Sequence, residues 1–549
     1  MTIDEKSWSK LFPRFYLNSF EKGTRKRARK RFPWSVTDPL HEKSFISGAT
    51  KNKSVWLTEK RAKPSTVSAA CGAALPILCP PSPRSSLLRA LVLELRRSIE
   101  TNFKICGAQL QMEQANASNG LVRVIGRWSL VALMVNTMIG ASIFGLPAVI
   151  AAYLGKWSPT GYFVAFVGIS VIAACMAEVA SQFQEAGGPY LYARAAFGRL
   201  VAIQNGWLLW LARVAAVAGV ANLFITYLGE FFPIVKTPLP RAGILAALIG
   251  FLAAVNYRGV AGGNRVSNFF TIAKVSLLSF FIVTGFFRLL LHSDLRVTPQ
   301  SVNATASDWF GALLLMVYAY GGFESALIAS GEARDTRQDI PVALFVAIGI
   351  TTFLYVAVQI LVIYTIQNAG TSETPVVDSA RWFLAPLGVQ IMAAGTLVSA
   401  YGYLSANMLH TPRILFAMSR LRDFPAIAGK VHPVFRTPHI SILIFAAAVY
   451  LFAVAATFRW NAILSGVARL FVYGTVAAAL PVLRKKQPTA DAFRLPFGWL
   501  FCFLGLLFTG ALIVRMHRGE LIVIALTSAV ATLNWLWVRR QQAPSEATN

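Results

Sequence analysis

From position 127 onward the apolar positions neither alternate nor keep to one helical stripe. They gather into unbroken runs of about 20 residues, split by short polar segments. Twelve runs are read: 128–153, 159–182, 202–229, 240–256, 267–291, 309–331, 341–365, 384–410, 438–457, 462–483, 496–515 and 520–538. Each is long enough for a helix across a hydrocarbon core, which takes about 17–25 residues. In lipid the backbone has no water to bond, so a helix that satisfies itself is the economical form. The alternating period of a membrane barrel is absent. The expected fold class is an all-α polytopic membrane protein with 12 transmembrane helices.

Composition narrows the function. Hydrophobic residues make up 55% of the chain and charged residues 14%, where a soluble domain carries about 25% charged residues. That excludes a disordered chain, a secreted disulfide scaffold and a soluble enzyme. The five cysteines form no CxxC pair and no histidine stands at ligand spacing from them. Cys175 and Cys502 lie in apolar runs and read as packing residues. No nucleophile–base pair, metal cluster or phosphate loop stands out, so neither catalysis nor a cofactor is expected.

Lys and Arg number 52 against 24 Asp and Glu. With the N-terminus placed inside, the inner loops and C-terminal tail carry 17 basic residues and the outer loops 9. This asymmetry puts both termini in the cytoplasm of a multi-pass plasma (inner) membrane protein. The basic excess then reflects retention at the bilayer, and no nucleic acid partner is expected.

Residues 1–111 are different. They hold 21–32 (EKGTRKRARKRF), a Pro/Ser patch at 79–86, and no apolar stretch of spanning length. Three readings stand for this extension: a patch for anionic lipid or nucleic acid, a disordered cytosolic tail, or non-native sequence from a start codon placed too far upstream. Met112 opens a short polar lead into the first run, so 112–540 is taken as the working domain and 541–549 as a short cytoplasmic tail.

Two runs break the helical rule. The first is interrupted by NTMIGASIFGLP (136–147), the sixth by AYGGFESALIASGE (319–332). Glycine costs a helix interior about 1 kcal/mol relative to alanine. Adjacent glycines and a carboxylate at midplane depth therefore predict unwound points, which are tolerated only where they line a cavity or are buried in protein. Runs one and six are corresponding positions if runs 1–5 and 6–10 are inverted repeats, and paired breaks of this kind point to a transporter's central site. The helix beginning near Ser142 would offer amides to a carboxylate. Carbonyls freed around Tyr320–Gly322 would accept from an ammonium. Alternatively, the glycines only let helices pack closely.

At these residues the sequence resembles the amino acid–polyamine–organocation transporters. GASIFGLP is similar to that family's first helix, EVASQFQEAGGPYLYARAAFG (178–198) to its second helix end and loop. GGFES with GEARDTRQDIPVAL (331–344) resembles its sixth helix and the following loop, and TPRILFAMSRLRDFP (411–425) its loop after helix eight. The motifs fall in the family's order over about 127–540, and residues 1–111 have no counterpart. The resemblance implies a LeuT-like 5+5 inverted repeat with discontinuous helices 1 and 6, two further helices, and alternating access to a central amino acid. It places substrate contacts at Ile139, at the amides of Gly140, Ala141 and Ser142 for the carboxylate, and at the Gly321 carbonyl for the amino group. Tyr318 becomes a gate over the substrate, and Asn407 faces the side chain or hydrogen-bonds a neighbouring helix. It also implies that the Lys274 ammonium replaces a sodium ion bridging helices one and eight.

Charges inside runs need a task or a partner. Lys274 could carry a coupled proton or snorkel to the cytoplasmic interface. Glu324 could titrate or brace the sixth-run break. Arg213 could face the substrate path, disfavouring cationic substrates, or pair with a carboxylate or carbonyl within the bundle. Glu178 reads as an anchor of a cytoplasmic gate network. The function expected is secondary active transport of an amino acid, coupled to protons or to exchange for a second amino acid. A non-transporting sensor, a channel and a membrane-embedded enzyme remain as alternatives.

Overall fold

The computed structural model describes residues 126–140, 142–183, 187–259, 263–292, 296–324, 327, 335–384, 386–486 and 492–542. All lie in the second of the chain's two compact units, Glu100–Asn549. The extension 1–111, Met112 and the tail 543–549 fall outside the described residues.

Regular structure among the described residues is helical throughout. In chain order the α-helices are α1 (Arg127–Met138), α2 (Ser142–Leu154), α3 (Ser158–Ser181), α4 (Pro189–Phe197), α5 (Arg199–Leu228), α6 (Pro238–Arg258), α7 (Gly263–Leu291) and α8 (Ala306–Tyr320). They continue with α9 (Thr336–Thr365), α10 (Pro375–Phe383), α11 (Pro386–His410), α12 (Pro412–Arg420), α13 (His439–Ala455), α14 (Phe458–Lys486), α15 (Gly498–Ile513) and α16 (Arg518–Gln542). Eight helical stretches are apolar and long enough to cross a membrane, with His439–Ala455 and Gly498–Ile513 apolar but shorter.

Burial sorts these helices. α5 is enclosed on nearly every side, with 89% of its apolar window buried, whereas the figure for α16 is 17%. A helix apolar all round belongs either in a core or in lipid. Here α5 is core, and α6, α7 and α16 turn residues such as Phe251, Phe269, Phe287 and Leu526 outward. An exposed apolar belt of that extent suits hydrocarbon as solvent and would aggregate in water. Cys175 and Cys502 are buried free thiols, in keeping with packing roles.

The packing that matters for function surrounds two points. α1 lies against α7 and α9, α2 lies against α8, and α14 packs on both α5 and α8. Gly466 makes the last contact possible. A Cβ there would come 2.7 Å from the Leu314 carbonyl oxygen of α8, so only glycine brings α14 that close. The residue three positions on, Arg469, is carried into the centre by that approach. At the start of α8, Thr305 and Asp308 form a reciprocal capping box. Those hydrogen bonds hold the exposed Asp308 carboxyl below its usual range and fix where the helix begins.

Candidate functional site

The first break is where the sequence places it. α1 ends at Met138, Gly140 is not helical, and α2 starts at Ser142. Ala141 lies outside the described residues. Ending a helix strips its last carbonyls of partners, and three side chains from three other helices meet them. Lys274 Nζ of α7 donates to the Asn136 carbonyl at 3.1 Å. Tyr355 Oη of α9 lies 2.9 Å from the Met138 carbonyl. Ser399 Oγ of α11 donates to the Gly140 carbonyl at 3.3 Å. An ammonium also suits the negative end of the α1 dipole. Lys274 is 1% exposed, so it does not snorkel; its head group is held inside the bundle.

The second break follows α8. Gly321 leaves the helix with ψ of 146°, and Gly322 takes φ of +134°, a conformation open to glycine and strained for any other residue. A Cβ on Gly322 would also overlap the Thr137 carbonyl. The two breaks touch: Thr137 Oγ1 of α1 donates to the Gly322 carbonyl at 3.0 Å. Tyr355 joins them as well, its hydroxyl lying 2.8 Å from the Ala319 carbonyl and 2.8 Å from Ser142 Oγ.

Glu324 braces the second break. Its Oε2 accepts from the Gly322 amide at 2.8 Å and lies 3.3 Å from the Tyr473 hydroxyl. Its Oε1 meets Arg469 Nε at 2.8 Å and Arg213 Nη2 at 3.3 Å. Arg213 therefore pairs with a carboxylate, and it also reaches the Gly322 carbonyl at 3.5 Å and Asn407 Oδ1 at 3.4 Å. Asn407 spends its amide nitrogen on the Tyr403 carbonyl at 3.0 Å, so both ends of that side chain are engaged within the protein. Arg469 Nη1 donates to Ser465 Oγ at 2.6 Å. Its guanidinium carbon stands 5.9 Å from the Tyr318 ring, close enough for cation–π attraction. All of these side chains are buried.

Tyr318 lies in the last turn of α8, just before the second break. Its ring meets Phe458 edge-on at 6.2 Å, and Phe458 lines a cavity of about 430 Å³ with Gly145, Asn222, Arg241, Glu373 and Arg459. A larger groove of about 720 Å³ runs between α6 and α13, lined by Ala246, Gly250, Ala253 and Ala447 among others. It is an apolar furrow on the outside, away from both breaks.

Glu178 is remote from this centre. Its carboxylate is buried and accepts from Arg484 Nε and Nη2 at 2.7 Å each, together with the Leu495 amide at 2.8 Å. Asp423, also buried, holds Arg194 at 3.2 Å and Arg199 at 2.7 Å. Burial, then the hydrogen bond to Asp423, raises the pKa of the Tyr190 phenol and keeps it protonated.

The structure thus brings together Ile139, Gly140, Ser142, Tyr318, Gly321, Glu324, Arg213 and Asn407, with Lys274 of α7 bonded to α1 at Asn136, just before the first break. Sequence reasoning missed Arg469 and Tyr355. The signal for Arg469 was present: a second arginine within an apolar run, at the same depth logic as Arg213. Tyr355 gave none, since a tyrosine in an apolar helix is commonplace.

A family model described as amino acid permease matches residues 125–533. This chain belongs to the amino acid permease family. It is a family of transporters and not of enzymes. A second model, described as a domain of unknown function, matches residues 14–68. Among curated relatives, the methylthioribose transporter of Bacillus subtilis is 28% identical over 69% of this chain and 85% of its own length. The serine/threonine exchanger SteT of the same organism is 27% identical over 59% of this chain and 75% of its own. The branched-chain amino acid permease BcaP, also from B. subtilis, is 27% identical over 73% and 90%. The permease described here is accordingly a multi-pass membrane protein of an amino acid transport family.

Proposed function

We propose that this permease carries an amino acid across the plasma membrane by alternating access. Twelve spanning helices form the working domain, 112–540, with both termini in the cytoplasm, and the first five and next five are inverted repeats. One observation carries the reading: the Thr137–Gly322 hydrogen bond sets the two unwound points side by side, deep in the bundle. Amides from Gly140 to Ser142 would take the α-carboxylate, where the positive end of α2 favours an anion, while the Ile139 amide is given to the Val135 carbonyl at 2.9 Å. Tyr318, resting on Phe458, would close the site from the 430 Å³ cavity. Lys274 would do the work of a bound cation at the α1 terminus, and the Glu178–Arg484 pair would latch the cytoplasmic end. Relatives named for serine/threonine exchange and for branched-chain amino acids support an amino acid as cargo. Proton symport or exchange for a second amino acid would drive it.

The test is flux of labelled amino acids into proteoliposomes holding the purified chain. Saturable uptake is expected, at carrier rates, with an equal rate from protein begun at Met112. Binding without flux would make the chain a sensor, and ionic current far above carrier turnover would make it a channel. Loading the inside with unlabelled amino acid, or imposing a pH gradient, separates exchange from symport.

A further inference from the structure

Arginine keeps its charge in proteins. At the centre two guanidiniums, Arg213 and Arg469, share a single carboxylate, Glu324. All three are 0% exposed. The other buried carboxylates among the described residues are Glu178, Asp339, Asp423 and Glu520. The first three pair with Arg484, with Arg127, and with Arg194 and Arg199. Glu520 stands in the first turn of α16. None of them forms an ion pair with Arg213 or Arg469. Among the described residues the centre therefore holds one positive charge more than its own carboxylate neutralises, and a buried cation without a counter-charge is strongly unfavourable.

Geometry shows where the missing anion belongs. Arg469 uses Nε on Glu324 and Nη1 on Ser465, while its Nη2 is buried and meets no hydrogen-bond acceptor. The same guanidinium lies against Gly321, where a Cβ would overlap it, and faces the Tyr318 ring. Tyr403, beside both guanidiniums, packs its ring on Gly140. The Arg469 guanidinium thus borders the second unwound point directly, and the Tyr403 ring stands between it and Gly140 at the first. Two of the carbonyls there already face the protein's own donors: Gly322 takes Thr137 and Arg213, and Ala319 shares the Tyr355 hydroxyl with Met138. The space is short of anions and well supplied with cations.

We propose that the cargo is an amino acid with an anionic side chain, and that Arg469 determines this specificity by giving Nη2 to the side-chain carboxylate. This rests on the transport reading above and names its substrate class. The α-carboxylate goes to the amides at the first break, and the second carboxylate supplies the counter-charge that Glu324 cannot. A neutral side chain leaves the guanidinium bare, and a cationic one adds repulsion; discrimination comes from both.

The experiment is competition in proteoliposomes of the full chain. Labelled glutamate and aspartate are offered, with unlabelled leucine, serine and lysine as competitors, and the labels are then reversed. Acidic amino acids should inhibit at concentrations at least about tenfold below the neutral ones, and lysine should not inhibit. Arg469→Lys keeps a positive charge but loses the guanidinium fork. Its ratio of neutral to acidic half-inhibition concentrations should fall about tenfold, and a ratio does not depend on how much of the variant folds. Uptake of neutral or cationic amino acids that glutamate and aspartate fail to inhibit overturns the proposal and leaves transport standing. So does an unchanged ratio in Arg469→Lys. Absence of flux for every amino acid removes the transport reading, and this inference with it.

Discussion

Glu324→Ala is expected to destabilise the permease by about 3–5 kcal/mol, the cost of stranding buried charges by deleting their partner. The carboxylate receives Arg469 at 2.8 Å and Arg213 at 3.3 Å, and neither guanidinium can reach water. It also accepts from the Gly322 amide, so the second break loses its brace in the same step. The measurement is the thermal midpoint and gel-filtration profile in detergent. A companion variant sharpens it. Replacing Glu324, Arg213 and Arg469 together by methionine removes all three charges and should be less destabilised than the single alanine variant, because uncompensated charge outweighs lost packing. If Glu324→Ala melts with the parent protein, water reaches the cluster and the account of a sealed, charged centre is wrong.

Lys274→Ala should lower uptake by about ten- to hundredfold with a smaller loss of stability. The alanine leaves the Asn136 carbonyl without its 3.1 Å donor, and an unsatisfied buried carbonyl costs about 1–3 kcal/mol. It also removes the only ammonium at the negative end of α1 among the described residues, where a cation is favoured. Lys274→Gln separates the two effects, since an amide can donate to the carbonyl without bringing charge. Uptake should remain low in Lys274→Gln if charge matters and recover substantially if the hydrogen bond alone suffices. Replacing sodium with choline should leave uptake by the parent protein unchanged. Full activity in Lys274→Ala would remove this residue from the transport cycle.

Much of the site could be read from residue order because lipid makes exceptions expensive. A glycine pair, a lysine and a glutamate inside apolar runs stand out when every neighbour is aliphatic, and the structure puts Gly321, Gly322, Lys274 and Glu324 at or beside the breaks. What the order of residues cannot convey is pairing. That Glu324 would take Arg469 as well as Arg213 depended on how close α14 comes to α8, and that is set by Gly466, which looks like any small residue in a membrane helix. The hydroxyls of Thr137, Tyr355 and Ser399 were equally unreadable. Threonine and serine commonly bond back within their own helix, as Thr137 also does to Leu133, and only tertiary approach turns them toward another chain segment. Asn407 shows the converse: flagged through likeness to a family, it turns out to tie Arg213 to the Tyr403 carbonyl.

The Tyr355 phenol has two carbonyl neighbours, Met138 at 2.9 Å and Ala319 at 2.8 Å, but a single proton. Donation to one deprives the other. One hydroxyl thus serves both severed rods, and a shift that takes either carbonyl out of reach leaves the hydrogen to the other.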